Sequence, residues 1–106
     1  MNFVGYVITL TGKVKNFFWN DVEKLPRDGS VTLLDVRTPS EREVGHIPGF
    51  IHIPLDELRQ RAGELPQDKP VYIHCHSGLR SYLACRILAQ DGYDCYNFSG
   101  GYRFYE

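Results

Sequence analysis

The stretch VYIHCHSGLRS, residues 71–81, changes its pattern in the middle. Its first half is a short run of β-branched and aromatic residues after Lys69-Pro70, which is typical of a buried strand. Beyond Ser81 the spacing becomes helical until Gly92, with one apolar stripe formed by Leu79, Leu83, Ala84, Ile87 and Leu88. Cys75 is therefore predicted to lie at the carboxyl end of a strand, at the head of a tight loop that enters a helix.

The loop after Cys75 has the composition of an anion-binding turn. Backbone N–H groups of a Ser-Gly turn can point inward together, and the start of a helix adds partial positive charge. Gly78 supplies backbone freedom and Arg80 a nearby cation. We therefore expect the thiolate of Cys75 to be stabilised there. The alternative is a structural cysteine, since cysteines at strand ends are often simply buried.

Length and composition limit the class of protein. The 106 residues suffice for one domain, and 42% hydrophobic with 24% charged residues is typical of a soluble globular protein. A net charge of −1 with scattered Lys and Arg gives no basic surface for nucleic acid or anionic membrane. The apolar run 3–8 is too short to span a bilayer and lacks a cationic lead, so we expect neither anchor nor signal peptide.

Three cysteines indicate a reducing compartment, because their number is odd and their spacing fits neither a zinc site nor a disulfide framework. We expect a cytoplasmic protein. Cys85 lies about 150° around the predicted helix from the centre of the apolar stripe. It is predicted to be peripheral and inert, with a role as resolving thiol left open, whereas Cys95 in a strand is predicted to be in the core.

Strands and helices alternate along the rest of the chain. Thr38, Pro39 and Glu41 form a capping box with proline at the first helical position, and Asn20 with Glu23 forms a second candidate box. This alternation predicts an α/β fold, a doubly wound and mainly parallel five-stranded sheet with helices on both faces. Ligands of such sheets bind at the carboxyl ends of strands, where Cys75 lies. The strands are predicted at 15–19, 31–36, 50–53, 71–75 and 93–98. The helices are predicted at 21–25 and 39–45, with a third that begins at 55 and a fourth that follows the cysteine loop and ends at Gly92.

Two motifs in this order resemble the rhodanese-type sulfurtransferases. The first is Cys-x-x-Gly-x-Arg-Ser, which starts at Cys75, and the second is Asp-x-Arg at 35–37 followed by Gly-His-Ile-x-Gly at 45–49. With the closing Ser-Gly-Gly at 99–101, the resemblance covers roughly residues 16 to 105. It implies a rhodanese-like domain over 16–106, preceded by an extension or interdomain connector over 1–15.

The chain departs from the family pattern at two positions. Arg42 stands where the family usually has Phe or Tyr, and Phe50 where it usually has Ala. Both positions are expected to affect local packing rather than chemistry.

The length of the loop distinguishes between two groups that it could bind, a terminal sulfur atom on cysteine and a phosphoryl group. Protein tyrosine and dual-specificity phosphatases have a similar His-Cys lead but one residue more between cysteine and arginine than the four residues, His76 to Leu79, found here. A shorter ring encloses a smaller volume. It suits one terminal sulfur atom better than a phosphoryl group, which disfavours a phosphatase.

The resemblance implies that Cys75 becomes a persulfide. It would take a sulfane sulfur from thiosulfate or a persulfide and pass it to a thiol, cyanide or protein acceptor, with no metal or organic cofactor. The loop amides would stabilise the outer sulfur, and Arg80 would attract an anionic donor. The residues expected to bind substrate are His76, Ser77, Gly78, Leu79, Arg80 and Ser81.

Three polar residues of the second motif are expected to position loops. Asp35 and Arg37 follow a strand and can pair with each other or with neighbouring loops. His46 is expected to be a loop-fixing hydrogen bonder rather than a general base, because transfer between sulfur atoms needs no strong base once the thiolate exists. In an extended strand His74 and His76 point away from the Cys75 face, so a metal site is not expected.

Two other classes of function stay open. The apolar head 3–10 resembles the connector before the rhodanese domain of flavin-dependent coenzyme A-disulfide reductases, which predicts a sulfur-handling accessory domain whose residues 1–10 pack on a flavoprotein disulfide reductase partner. The third class is a rhodanese-like domain that binds proteins without reacting, which the intact cysteine loop disfavours.

Overall fold

We describe residues 15–18, 22, 24–26 and 28–98 of a computed structural model of the chain. Within them, one sheet has the strand order β1-β5-β4-β2-β3, and every neighbouring pair is parallel. This arrangement confirms the predicted parallel α/β sheet and places β4, the strand before Cys75, in its centre. The strands are β1 Lys15–Phe17, β2 Thr32–Asp35, β3 Ile51–His52, β4 Val71–His74 and β5 Cys95–Phe98.

The helix after Thr38 begins where the sequence predicts, whereas the one predicted from Leu55 starts with a 3-10 turn and becomes α-helical at Leu58. Thr38 Oγ1 accepts a hydrogen bond from the Glu41 N–H, and the Glu41 carboxylate accepts one from the Thr38 N–H, which confirms the capping box. Gly92, at φ 91°, follows the end of the last helix. The helices are α1 Pro39–Val44, α2 Leu58–Arg61 and α3 Leu79–Gln90, with 3-10 turns Leu55–Glu57 and Ala62–Glu64 on either side of α2.

Apolar layers cover both faces of the sheet. On one face, Leu58 of α2 and Leu88 of α3 pack on Ile73 of β4 and are fully buried. On the other, Phe50 and Phe98 form a second cluster with Phe17. Cys75 belongs to the α3 face and His74 to the opposite face, where Phe50 contacts its ring edge-on at 4.8 Å between centroids.

The predicted apolar stripe of α3 was wrong in part. Leu79 and Leu83 are 46% and 44% exposed, and Ile87 is only partly buried. The buried side of α3 instead combines small side chains with Tyr82 and Leu88, because the helix packs closely on β4, the strand before Cys75. Cys85, predicted to be peripheral, is fully buried; Cys95 is in the core, as predicted. The buried residues of α3 are Ser81, Tyr82, Ala84, Cys85 and Leu88.

Some predictions fall on residues that the structure does not describe. They are the extension 1–14, the Asn20–Glu23 capping box and the closing turn 99–101. None of the helices in the described ranges has both the length and the apolar character required to cross a bilayer.

Candidate active site

The loop after β4 holds the sulfur of Cys75 against a backbone amide. Gly78 precedes the first residue of α3 with φ 97°, a conformation that side chains with Cβ rarely adopt. In this conformation the Gly78 N–H donates to Cys75 Sγ at 3.0 Å. The thiol therefore sits where a backbone donor and the start of a twelve-residue helix both favour negative charge.

A buried hydroxyl lies beneath the sulfur. Ser81 Oγ is 3.4 Å from Cys75 Sγ and 3.2 Å from the Gly78 carbonyl oxygen, and it also reaches the side-chain carbonyl of Asn97. Ser81 and Asn97 are fully buried. A hydroxyl that donates its proton to Asn97 still has lone pairs to accept from the thiol. Ser81 thus contacts the sulfur from the protein interior.

The remaining loop residues form the outer rim. His76 and Ser77 are exposed, Leu79 is partly exposed, and the Cys75 side chain lies fully buried below them. The loop therefore brings together the six residues that the sequence singled out. Asn97 was missed, although a polar residue within the otherwise apolar strand 93–98 was a signal for it.

Arg80 is held by a carboxylate. Its two terminal nitrogens donate to the two Glu41 oxygens at 2.7 and 2.8 Å, and both side chains are about one third exposed. The hydrogen bonds from Arg80 lower the pKa of Glu41 to about 2. Arg80, which was expected to attract an anionic donor, is thus already neutralised by Glu41. Glu41 was interpreted only as a helix cap, because nothing local shows that α1 meets the cysteine loop.

The Glu41→Gln variant should be less stable by about 1–2 kcal/mol at pH 7, because glutamine keeps the capping box but loses the charged pair with Arg80. The Glu41 pKa is depressed on folding, so its stabilisation is complete above about pH 4.5 and is lost as the pH falls toward 2. Urea unfolding at pH 7 and pH 3 measures this difference.

Glu64→Gln provides the matched control, because Glu64 pairs with Arg61 at the surface, where its side chain is 55% exposed. It should change stability much less than Glu41→Gln. An equal loss for Glu41→Gln at both pH values would contradict the charged pair.

Asp35 is the centre of a buried polar network on the His74 face. The carboxylate accepts from Arg37 Nε at 3.1 Å and Nη2 at 3.0 Å, and from Arg42 Nη1 at 3.3 Å. Arg37 Nη2 also donates to the Gly45 carbonyl at 2.7 Å, and Arg42 Nη2 to the Phe50 carbonyl at 3.1 Å. The network ties the end of β2 to the chain between α1 and β3. Arg42, a departure from the family pattern, thus joins the pair that the sequence suggested.

The histidines occupy separate places. His46 is exposed, with Nδ1 3.4 Å from the Arg42 carbonyl oxygen, and a His52 ring nitrogen lies 2.7 Å from the Arg37 carbonyl oxygen. His74 is buried, and His76 is exposed in the loop. Across the described ranges, no three His, Cys, Asp or Glu side chains converge as a metal site would require.

Cys85 of α3 and Cys95 of β5 are both buried in the core cluster that contains Cys75. The neighbouring Cys95 thiol together with burial raises the pKa of Cys85 far above its ordinary value. Both are free thiols. Because the thiolate is the nucleophile, Cys85 is inert in this state, which argues against the resolving role left open by the sequence.

Comparison with known proteins identifies this architecture. The family model of the rhodanese-like domain matches residues 19–106. A sulfurtransferase of Allochromatium vinosum is 41% identical over 80 residues, which are 74% of this chain and 75% of that protein. The putative sulfur carrier protein YrkF of Bacillus subtilis is 46% identical over 71 residues, which are 67% of this chain but 38% of the relative.

Among solved structures, reduced CoADR-RHD of Bacillus anthracis superposes with a TM-score of 0.87 and 40% identity. The match covers 95% of this chain and 18% of that one. The chain thus spans less than half the length of YrkF and under a fifth of CoADR-RHD. With its family model and fold in agreement, the chain belongs to the rhodanese-like domain family.

Proposed function

We propose that the protein moves a sulfane sulfur from thiosulfate or a persulfide to a thiol, cyanide or protein acceptor, with Cys75 as the carrier. The observation that carries the proposal is the Gly78 N–H directed at Cys75 Sγ at 3.0 Å, at the junction of β4 and α3. Such a donor stabilises negative charge on a sulfur held at this point.

The chemistry needs two displacements and no external oxidant. Cys75 thiolate attacks the outer sulfur of thiosulfate, a new S–S bond forms, and sulfite leaves with the electron pair of the broken S–S bond. An acceptor thiolate then attacks the outer sulfur of the persulfide, and Cys75 leaves as thiolate. Ser81 contacts the sulfur from below, Asn97 holds the Ser81 hydroxyl, and the Gly78 amide faces Cys75 Sγ.

The roles of the surrounding residues follow from their contacts. His76, Ser77 and Leu79 form the rim that a donor meets first. Both terminal nitrogens of Arg80 donate to Glu41, so an anionic donor would have to share the guanidinium with that carboxylate. The main role of Arg80 is therefore to fix the start of α3 to α1. Asp35, Arg37 and His46 keep the loops of the 35–52 region in place.

The test is to incubate the protein with thiosulfate and determine its intact mass. We expect the wild type to gain one sulfur atom and Cys75→Ser to gain none. Cys85→Ser is the matched control and should still gain one sulfur atom, because Cys85 lacks the backbone donor that faces Cys75 Sγ and its pKa is raised, which disfavours its thiolate. A wild type without added mass, or Cys75→Ser with the same addition, would reject the mechanism.

A second candidate is favoured by the extent of the CoADR-RHD match, in which this chain corresponds to one part of a much longer chain. Here the domain would exchange its sulfur with a flavoprotein disulfide reductase partner, on which residues 1–10 would pack. The genomic sequence upstream of Met1 tests it. A reading frame that continues upstream supports the fused domain, whereas a ribosome-binding site directly before Met1 supports the free sulfurtransferase.

A further inference from the structure

We propose that the exposed face of α3 is the docking surface for a protein acceptor, and that it binds an extended segment with a thiol at one end and carboxylates at the other. This inference rests on the proposed sulfur transfer and names its acceptor. The surface consists of Leu79, Leu83, Arg86 and Ile87 on α3, with Leu55 and Arg59 beside them.

An apolar stripe runs along this face, and none of the described residues covers it. Leu79, Leu83 and Ile87 are spaced four residues apart, so they share one side of the helix. Leu79 and Leu83 are nearly half exposed, and a groove of about 420 Å³ is lined by Leu55, Tyr82, Leu83 and Ile87. A contiguous exposed apolar strip beside a reactive site is typical of an interaction surface.

The charge of the groove selects an acidic partner. Arg59 and Arg86 line it, and its lining includes no carboxylate. Neither arginine forms an ion pair with a carboxylate in the described part of the chain; Arg86 donates to the Tyr82 hydroxyl at 3.0 Å and lies over its ring. By contrast, Arg61 nearby is paired with Glu57 and Glu64. Two guanidiniums on an apolar floor complement an apolar side chain followed by carboxylates.

A second cavity adjoins the groove on the side of the first turn of α3. Leu55 lines both, and this second cavity, about 460 Å³, extends to Arg80, five residues after Cys75, with Asp56 and Glu57 on its wall. Glu57 is paired with Arg61, but Asp56 forms no ion pair within the described residues and repels an acidic group at that end, so the partner's acids belong at the Arg59 and Arg86 end. From Leu79 to Gln90 the helix rises about 16 Å, which five extended residues span.

Sulfur transfer to such a segment needs no new chemistry. The segment's thiolate attacks the outer sulfur of the Cys75 persulfide, the S–S bond to Cys75 breaks, and Cys75 leaves as thiolate. The groove raises the local concentration of the thiol by holding the residues that follow it.

The experiment compares two synthetic acceptors, acetyl-Cys-Gly-Ser-Leu-Glu-Glu-amide and its counterpart with two lysines at the end. Cys75 is loaded with thiosulfate, freed of excess donor, and its discharge is followed by intact mass. We expect the acidic peptide to discharge it about tenfold faster than the basic peptide, and the double variant Arg59→Glu with Arg86→Glu to reverse this preference. Discharge by glutathione should stay within about twofold in the variant.

Lys24→Glu is the matched charge control, because Lys24 is exposed and its neighbours Val22 and Leu25 pack on the opposite face of the sheet. It should keep the wild-type preference. Equal discharge by the two peptides, or an unchanged preference in the double variant, would overturn the docking surface. Fluorescence anisotropy with the acidic peptide carrying serine for cysteine measures docking without a persulfide, so failure of thiosulfate loading would count against the sulfur transfer alone.

Discussion

The Asp35→Asn variant is expected to lose about 3–5 kcal/mol of unfolding free energy, because it leaves a buried guanidinium without its counter-charge. Asp35 is fully buried and Arg37 only 2% exposed. Burial opposes ionisation of Asp35, but the hydrogen bonds from Arg37 outweigh it and its pKa is lowered. Arg42 adds a second cation to the same carboxylate. Urea unfolding at pH 7 measures the loss.

Two controls separate the buried charge from the substitution itself. Asp28→Asn makes the same chemical change at an exposed turn, where Asp28 accepts from the Ser30 N–H, and should leave stability nearly unchanged. Arg42→Met removes one cation but leaves the Asp35–Arg37 pair balanced, so it should cost much less than Asp35→Asn. If Asp35→Asn lost no more stability than Arg42→Met, the carboxylate would not be the centre of the network.

Acidification from pH 7 to pH 4 should cost the wild type about 2–3 kcal/mol through His74 alone. Burial lowers the pKa of His74 from 6.5 to about 4, although the charge of Asp35 opposes this shift. At pH 7 the ring is therefore neutral, and its 3.6 Å separation from Asp35 is not an ion pair. Since the folded state resists protonation, the stabilisation is complete above pH 6.5 and is lost as the pH falls through 4.

The His74→Asn variant provides the measurement. It should be less stable than the wild type at pH 7, because it loses the packing of the ring against Phe50. Its unfolding free energy should then fall less steeply between pH 6.5 and 4. The difference in slope is the quantity of interest, since the lost packing affects both ends of the range. Parallel curves for the two proteins would show that His74 does not cause the acid sensitivity.

Local patterns predicted the elements of this fold because their signals lie within a few residues. The capping box at Thr38, the strand before Cys75 and the glycine after α3 were all placed correctly. The outward face of α3 was not. Hydrophobic periodicity placed Ala84 and Leu88 correctly on the buried side, but the sheet also accepted Ser81, Tyr82 and Cys85 in place of the predicted Leu79 and Leu83.

Local sequence patterns also could not predict contacts between residues that are far apart in the chain. Glu41 and Arg80 are 39 residues apart and meet only because β2 and β4 are neighbours in the sheet. Arg42 was expected to disturb packing, yet it binds Asp35 and the Phe50 carbonyl. In both cases the sequence shows a charged residue but not the partner that the fold brings to it.

The chain's own sequence determined that Cys75 follows a strand, that a glycine-containing turn comes next and that a helix then begins, since steric preferences and spacing act locally. Only the tertiary structure decided which side of that helix meets solvent and which carboxylate holds Arg80. Packing distance and strand order set those outcomes, and both depend on the whole sheet.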